Sequence, residues 1–160
     1  MKKLLLLICA GALLFTIGCK KQDQEVAPQG NGSWTLAGVS YKANVTYKGP
    51  TSHGEFLINF WESAPTADLK VNSLALSFKE DPTTSGTYQL VGYGTTLSGK
   101  QFTLAAGTKE GLAYAYIGAT NIDVTITVTG GKAKVVIPEI TLKGASGQAD
   151  AKLSASVQEM

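Results

Sequence analysis

Residues 121–142 read NIDVTITVTGGKAKVVIPEITL, and this stretch decides the fold class. Ile122, Val124, Ile126 and Val128 alternate with Asp123, Thr125, Thr127 and Thr129. A two-residue period puts the apolar side chains on one side of an extended chain and the polar ones on the other, as in a strand with one wet face. Gly130-Gly131 then reads as a two-residue hairpin turn, because both glycines reach positive φ at little cost. Beyond the turn the apolar residues Ala133, Val135 and Ile137 are odd, whereas Ile140 and Leu142 are even. The inward parity therefore changes across Pro138-Glu139. A β-bulge there returns the apolar set to the core, and proline, which has no N–H to give a ladder, is tolerated at bulges. Ala149, Ala151, Leu153, Ala155 and Val157 repeat the alternation. The expectation is a C-terminal three-stranded meander of 121–129, 132–143 and 148–157, bulged at Pro138.

The same period extends back towards the N-terminus. VSYKANVTYK, residues 39–48, places Val39, Tyr41, Ala43, Val45 and Tyr47 on one side and Ser40, Lys42, Asn44, Thr46 and Lys48 on the other. Further strands are expected at 55–62, 71–79, 86–92, 100–105 and 111–117. They are separated by turn-rich pieces such as Gly49-Pro50-Thr51-Ser52-His53-Gly54 and Asp81–Gly86. Long helical periodicity is missing, and Val, Ile, Thr and Tyr suit a pleated surface. About nine short strands with turns between them predict an all-β domain, either an antiparallel sandwich or a flattened up-and-down barrel.

The N-terminus has a different character. Lys2 and Lys3 precede an apolar run from Leu4 to Phe15. As a helix that run reaches only ~18 Å at ~1.5 Å per residue, short of a hydrocarbon layer of ~30 Å. It has the length of an export-signal core rather than of a membrane span. Thr16-Ile17-Gly18-Cys19 follows, and it resembles the lipobox of bacterial lipoproteins. Gly18 matches the small residue before the cut, Ile17 is compatible, and Thr16 departs from the preferred leucine. The resemblance implies that residues 1–18 are a removed signal and that the Cys19 thiol carries the lipid. Cys9, the other cysteine, lies in the signal, so no disulfide partner for Cys19 remains. Two or more acyl chains suffice for stable anchoring, each buried methylene contributing ~0.8 kcal/mol. Residues 19–32, with KKQDQEVAPQGNG after the cysteine, then read as a lipidated, flexible tether, and 33–160 as a single domain. Residues 85–90, SGTYQL, also resemble strand starts in small all-β bacterial envelope lipoproteins, a resemblance that brings no activity with it.

Charge narrows the partners. The 14 basic residues are all lysine. Without Lys2 and Lys3 they balance the 12 Asp and Glu. The absence of arginine removes the bidentate guanidinium contacts that suit phosphate, carboxylate and guanine. With no lysine-dense stripe either, no nucleic-acid partner is expected.

Chemistry-bearing residues are sparse. His53 is the single histidine, and a turn histidine is ordinarily solvated. Zinc needs several His or Cys ligands, so no metal and no cofactor are expected. Ser52 adjoins His53, but no G-x-S-x-G elbow occurs and neighbours in a turn seldom point together. Glu55, Glu62, Asp123 and Glu139 lie on or near strands, where solvated surface is the default reading and a paired-carboxylate site the alternative. Glu80-Asp81 and Asn121-x-Asp123 do not match a dedicated calcium loop. Catalytic residues are therefore not assigned, and the chain is read as non-enzymatic.

FLINFW, residues 56–61, is apolar on both faces: Phe56, Ile58 and Phe60 on one, Leu57 and Trp61 around Asn59 on the other. It is either a strand covered on both sides or one whose Leu57, Asn59 and Trp61 contact a ligand, with the amide orienting it. LAYAYIG, residues 112–118, places Leu112, Tyr114 and Tyr116 on one side and Ala113, Ala115 and Ile117 on the other, and reads as core, with a carbohydrate or peptide surface as the alternative. The functional expectation is a lipid-anchored outer-membrane protein, facing the periplasm or exposed on the cell surface, acting as a binding or accessory module. The alternative is a lipocalin-like carrier of a small apolar ligand inside a barrel.

Overall fold

Gly130 and Gly131 take φ of 59° and 77° and turn strand β9 (Ile122–Thr129) back onto β10 (Lys132–Gly144). Val128 faces Ala133 and Ile126 faces Val135 across this hairpin, so the apolar sets coincide. β10 continues into β11 (Ala151–Gln158) through a short 3-10 turn at Ala145–Gly147. The β10–β11 register pairs Ile137 with Ala155 and then Ile140 with Leu153, which leaves one extra residue at Pro138-Glu139. Ile137, Ile140 and Leu142 are all buried. The parity change read from the sequence is thus a bulge, and it keeps both halves of a long strand facing the core.

The computed structural model describes residues 31–160 other than 69, and it is all-β. The signal, Cys19 and most of the tether lie outside the described residues. Eleven strands form one sheet, the remaining ones being β1 (Gly32–Leu36), β2 (Val39–Lys42), β3 (Val45–Pro50), β4 (Phe56–Trp61), β5 (Ser73–Phe78), β6 (Gly86–Leu90), β7 (Gln101–Gly107) and β8 (Ala113–Ala115). Their order is β2-β1-β11-β10-β9-β6-β7-β5-β4-β3, with β8 pairing both β10 and β7. Among the described residues only the short β6–β7 contact is parallel.

Two features separate these eleven from the nine strands expected. β1 lies at the boundary assigned to the tether, where it pairs along β11 from Gly32↔Val157 to Leu36↔Leu153. Gly32 is required there: at φ 97° a Cβ would stand 1.9 Å from the Ser156 carbonyl oxygen. The second feature is a break in the 39–48 run. The Asn44 N–H donates to the carbonyls of Lys42 (3.1 Å) and Trp61 (3.0 Å), while the Ala43 N–H donates to Gly32 (2.9 Å). The chain therefore turns a corner at Ala43-Asn44, leaving β1 and joining β4, so the two ends of the sheet order are consecutive in the chain.

The corner corrects the single-face reading of 39–48. Before it, Tyr41 and Ala43 face the core while Val39 at the sheet edge is exposed, and Tyr41 stacks on its register partner Trp34 at 5.5 Å. After it, Thr46 and Lys48 stand opposite the buried Phe60 and Ile58, while Val45 and Tyr47 stand opposite Trp61 and Asn59 on the outer face. An unbroken alternation in sequence thus changes sides in space.

Large side chains fill the space the sheet encloses. Trp34, Phe60, Phe78 and Phe102 are each at most 1% exposed. Phe78 stacks on Phe102 at 5.1 Å and meets Tyr88 edge-on at 6.0 Å. Tyr114 and Tyr116 join this cluster, as read from the sequence, but Leu112, expected with them, is 40% exposed because it precedes β8 in the turn after Gly111. Tyr88 and Tyr116 satisfy their hydroxyls locally, donating to the carbonyls of Thr84 and Thr120.

Candidate functional site

β4 is sealed on one side only. Ile58 and Phe60 are fully buried, whereas Leu57, Asn59 and Trp61 share the opposite, outer face and are all half-buried. The structure thus brings the three candidate contact residues together. On the β5 side their register partners are all small. One row runs Tyr47, Asn59, Ala75, Ala105, Ala115; the next runs Val45, Trp61, Ser73, Gly107, Ala113. A third runs Gly49, Leu57, Ser77, Thr103. The result is a shelf of small side chains on β5, β7 and β8, walled along β4 by Leu57, Asn59 and Trp61.

The wall is braced from β3. Tyr47 stacks on Trp61 with ring centroids 6.1 Å apart and planes at 25°. Its ring also lies over Gly49, where a Cβ would meet the Tyr47 Oη at 2.8 Å. Behind these rings the Asn59 Oδ1 is buried and accepts no hydrogen bond from any described residue.

The third row runs into a cleft of about 390 Å³ between two loops. One wall is the β3–β4 turn carrying His53 and Glu55. Thr51 organises that turn: its Oγ1 accepts the N–H groups of His53 and Glu55, and its N–H donates to the Glu55 carbonyl at 2.8 Å. The other wall is residues 93–97. Leu97, 5% exposed, roots this loop, and the Tyr93 N–H donates to the Tyr116 carbonyl at 2.6 Å. Ser77, Thr103 and Lys79 form the floor. Thr103 is only 6% exposed. Tyr93 stands on the rim, 61% exposed.

Sequence reasoning missed Ser77, Lys79, Tyr93 and Thr103. A signal for the floor was present: β5 and β7, SLALSF and QFTLAAG, alternate large apolar residues with Ser, Ala, Thr or Gly. A sheet face built only of small residues lacks the long polar chains that cover an ordinary solvated face. The opposite side of the molecule has them, with Lys134 and Lys152 exposed along β10 and β11.

The carboxylates singled out in the sequence are dispersed. Glu55 and Glu62 stand at opposite ends of β4, ~20 Å apart along a strand at ~3.3 Å per residue, well beyond the ~5–10 Å of a paired-carboxylate site. Glu62 accepts from Asn72 Nδ2 at 2.6 Å, and Asn72 Oδ1 accepts the Lys109 N–H at 3.0 Å. This bridge occupies a second cleft, of about 480 Å³, with Tyr41 and Glu110. Burial, then the charges of Glu110 and Glu62, raise the Tyr41 phenol above its ordinary pKa. Glu139 pairs with Lys152 at 3.6 Å on the exposed surface. Ser52 and His53 are both exposed in their turn. Among the described residues no group of three or more His, Cys, Asp or Glu is gathered as metal ligands.

A further polar cluster was not foreseen. Lys48 Nζ lies 2.8 Å from Asp81 Oδ1 and 3.2 Å from Glu159 Oε1, at the end of the core. Glu159, 5% exposed, also accepts the Ala133 N–H at 2.6 Å. Burial alone lowers the Lys48 pKa, but its bonds to Asp81 and Glu159 outweigh that and hold it above the ordinary lysine value. The cluster ties the C-terminus to β3 and to the β9–β10 hairpin.

No family model, curated protein or solved structure matches the chain.

Proposed function

We propose that the protein is a lipid-anchored module of the bacterial cell envelope that binds a partner on the outer face of β4, β5 and β7, without catalysis. The anchor is Cys19, in a sequence that resembles a lipobox. The tether of residues 19–32 lifts the domain from the outer membrane, towards the periplasm or the cell surface. The domain itself is read as a flattened barrel, its sheet ends meeting at Ala43-Asn44 and its interior filled by Phe60, Phe78 and Phe102. A filled interior favours a surface site over a carrier with an internal cavity.

The observation that carries the reading is the shelf. Leu57, Asn59 and Trp61 stand half-buried beside a floor of small residues that leads into a cleft lined by Ser77, Thr95, Thr96 and Thr103. Concave surfaces with apolar walls and a few convergent polar groups are where ligands bind. The test is fluorescence of Trp61 during titration of peptides, glycans and envelope extracts onto the full chain. Trp34 is 1% exposed and supplies a constant background. A saturable change that Trp61→Phe removes supports the reading, and a flat response to every class overturns it.

A further inference from the structure

Resting on that reading, we propose that the partner is a neutral carbohydrate, with one sugar unit held in the Thr103 cleft and the rest of the chain laid along the shelf towards Trp61. Thr103 points to the ligand chemistry. Thr103, 6% exposed, lines the cleft together with Ser77, Lys79 and the 93–97 loop. The hydroxyls of Ser77, Thr95 and Thr96 surround the same space. Each of these groups both donates and accepts, as do the hydroxyls of a sugar.

Charge and shape select among polar ligands. Glu55 and Lys79 line the cleft with opposite charges, an acceptor and a donor that cancel in net charge. The chain has no arginine to clamp phosphate or carboxylate. A neutral ligand therefore fits better than an anionic one. Tyr93, 61% exposed on the rim, presents a flat ring at one end, and Tyr47 and Trp61 present two more at the other. The distance from Glu55 to Trp61 is six residues, ~20 Å along the strand. That length suits an oligosaccharide rather than a monosaccharide. A peptide adding a strand is disfavoured, because β4, β5 and β7 are each paired on both sides along the shelf.

The full lipidated chain, held in detergent, is tested against neutral hexasaccharides of glucose, mannose, xylose and N-acetylglucosamine, with heparin fragments, polyphosphate and a peptide pool alongside. We expect at least one neutral hexasaccharide to bind. Thr103→Val should weaken it about tenfold, the effect of losing one hydrogen bond of ~1.4 kcal/mol. Thr103→Ser should retain most of the affinity, Tyr93→Ala should reduce it, and Thr127→Val on the opposite face should leave it unchanged. Binding that Thr103→Val does not weaken overturns the proposal, as does preference for heparin or polyphosphate. If peptides bind with a Trp61 response and no glycan does, the carbohydrate inference fails while the binding-module reading survives. Silence from every probe ends both.

Discussion

Tyr47 and Trp61 stack at 6.1 Å although they are diagonal, not direct, neighbours in the β3–β4 register. Gly49, two residues along on the same face, leaves room for the phenol end of the Tyr47 ring. Aromatic pairs of this kind contribute about 0.5–1.5 kcal/mol beyond area burial. A Tyr47→Ala and Trp61→Ala double-mutant cycle in urea should return a coupling in that range. Gly49→Ala should displace the phenol and make Trp61 more accessible to acrylamide. A zero coupling energy would contradict the arrangement.

The bulge at Pro138-Glu139 makes a sharp prediction about length. Deleting Pro138 and Glu139 together sets Ile140 next to Ile137 and turns Ile140 and Leu142 towards solvent, each buried side chain contributing about 1.5–3 kcal/mol. That loss is a large part of the ~5–15 kcal/mol by which a domain is stable. The deletion should lower the urea midpoint severely or prevent folding. Pro138→Ala keeps the residue count and should change it little.

Lys48 is held above its ordinary pKa, so folding favours its charged form. Its contribution is complete below the unfolded value near 10.5 and is lost as pH rises through the higher folded value. Thermal stability should therefore fall in strongly alkaline solution by a step that Lys48→Met lacks. At neutral pH, Lys48→Met leaves Glu159 buried without its cation and should cost about 1–3 kcal/mol, more than Glu159→Gln. Equal alkaline slopes for both proteins would dismiss the role.

Replacing Cys19 with Ser should abolish incorporation of labelled palmitate and move the protein from the membrane to the soluble fraction. Fatty-acid labelling that survives the substitution would end the anchor assignment.

Much of the architecture was legible because its determinants are local. The alternation of 122–128, the two glycines after it and the parity slip at Pro138 each involve residues a few positions apart, and each has one steric solution. The grouping of Leu57, Asn59 and Trp61 follows equally from a strand's period of two. The fate of 39–48 was not legible, since odd residues remain apolar while the chain turns a corner that only Gly32 and Trp61 define. β1 escaped for a related reason: five residues become a strand because β11 offers them an edge.

By itself, then, the order of side chains determined an all-β domain, its meander and the faces of its longest strands, since pleat and turn sterics act between near neighbours. Only the tertiary structure decided which of those faces stay open. Thr103 lies in a cleft because loop 93–97 folds beside it, and Glu159 is buried because Lys48 and Ala133 arrive from distant segments. Burial depends on what the rest of the chain places overhead, and no local pattern encodes that.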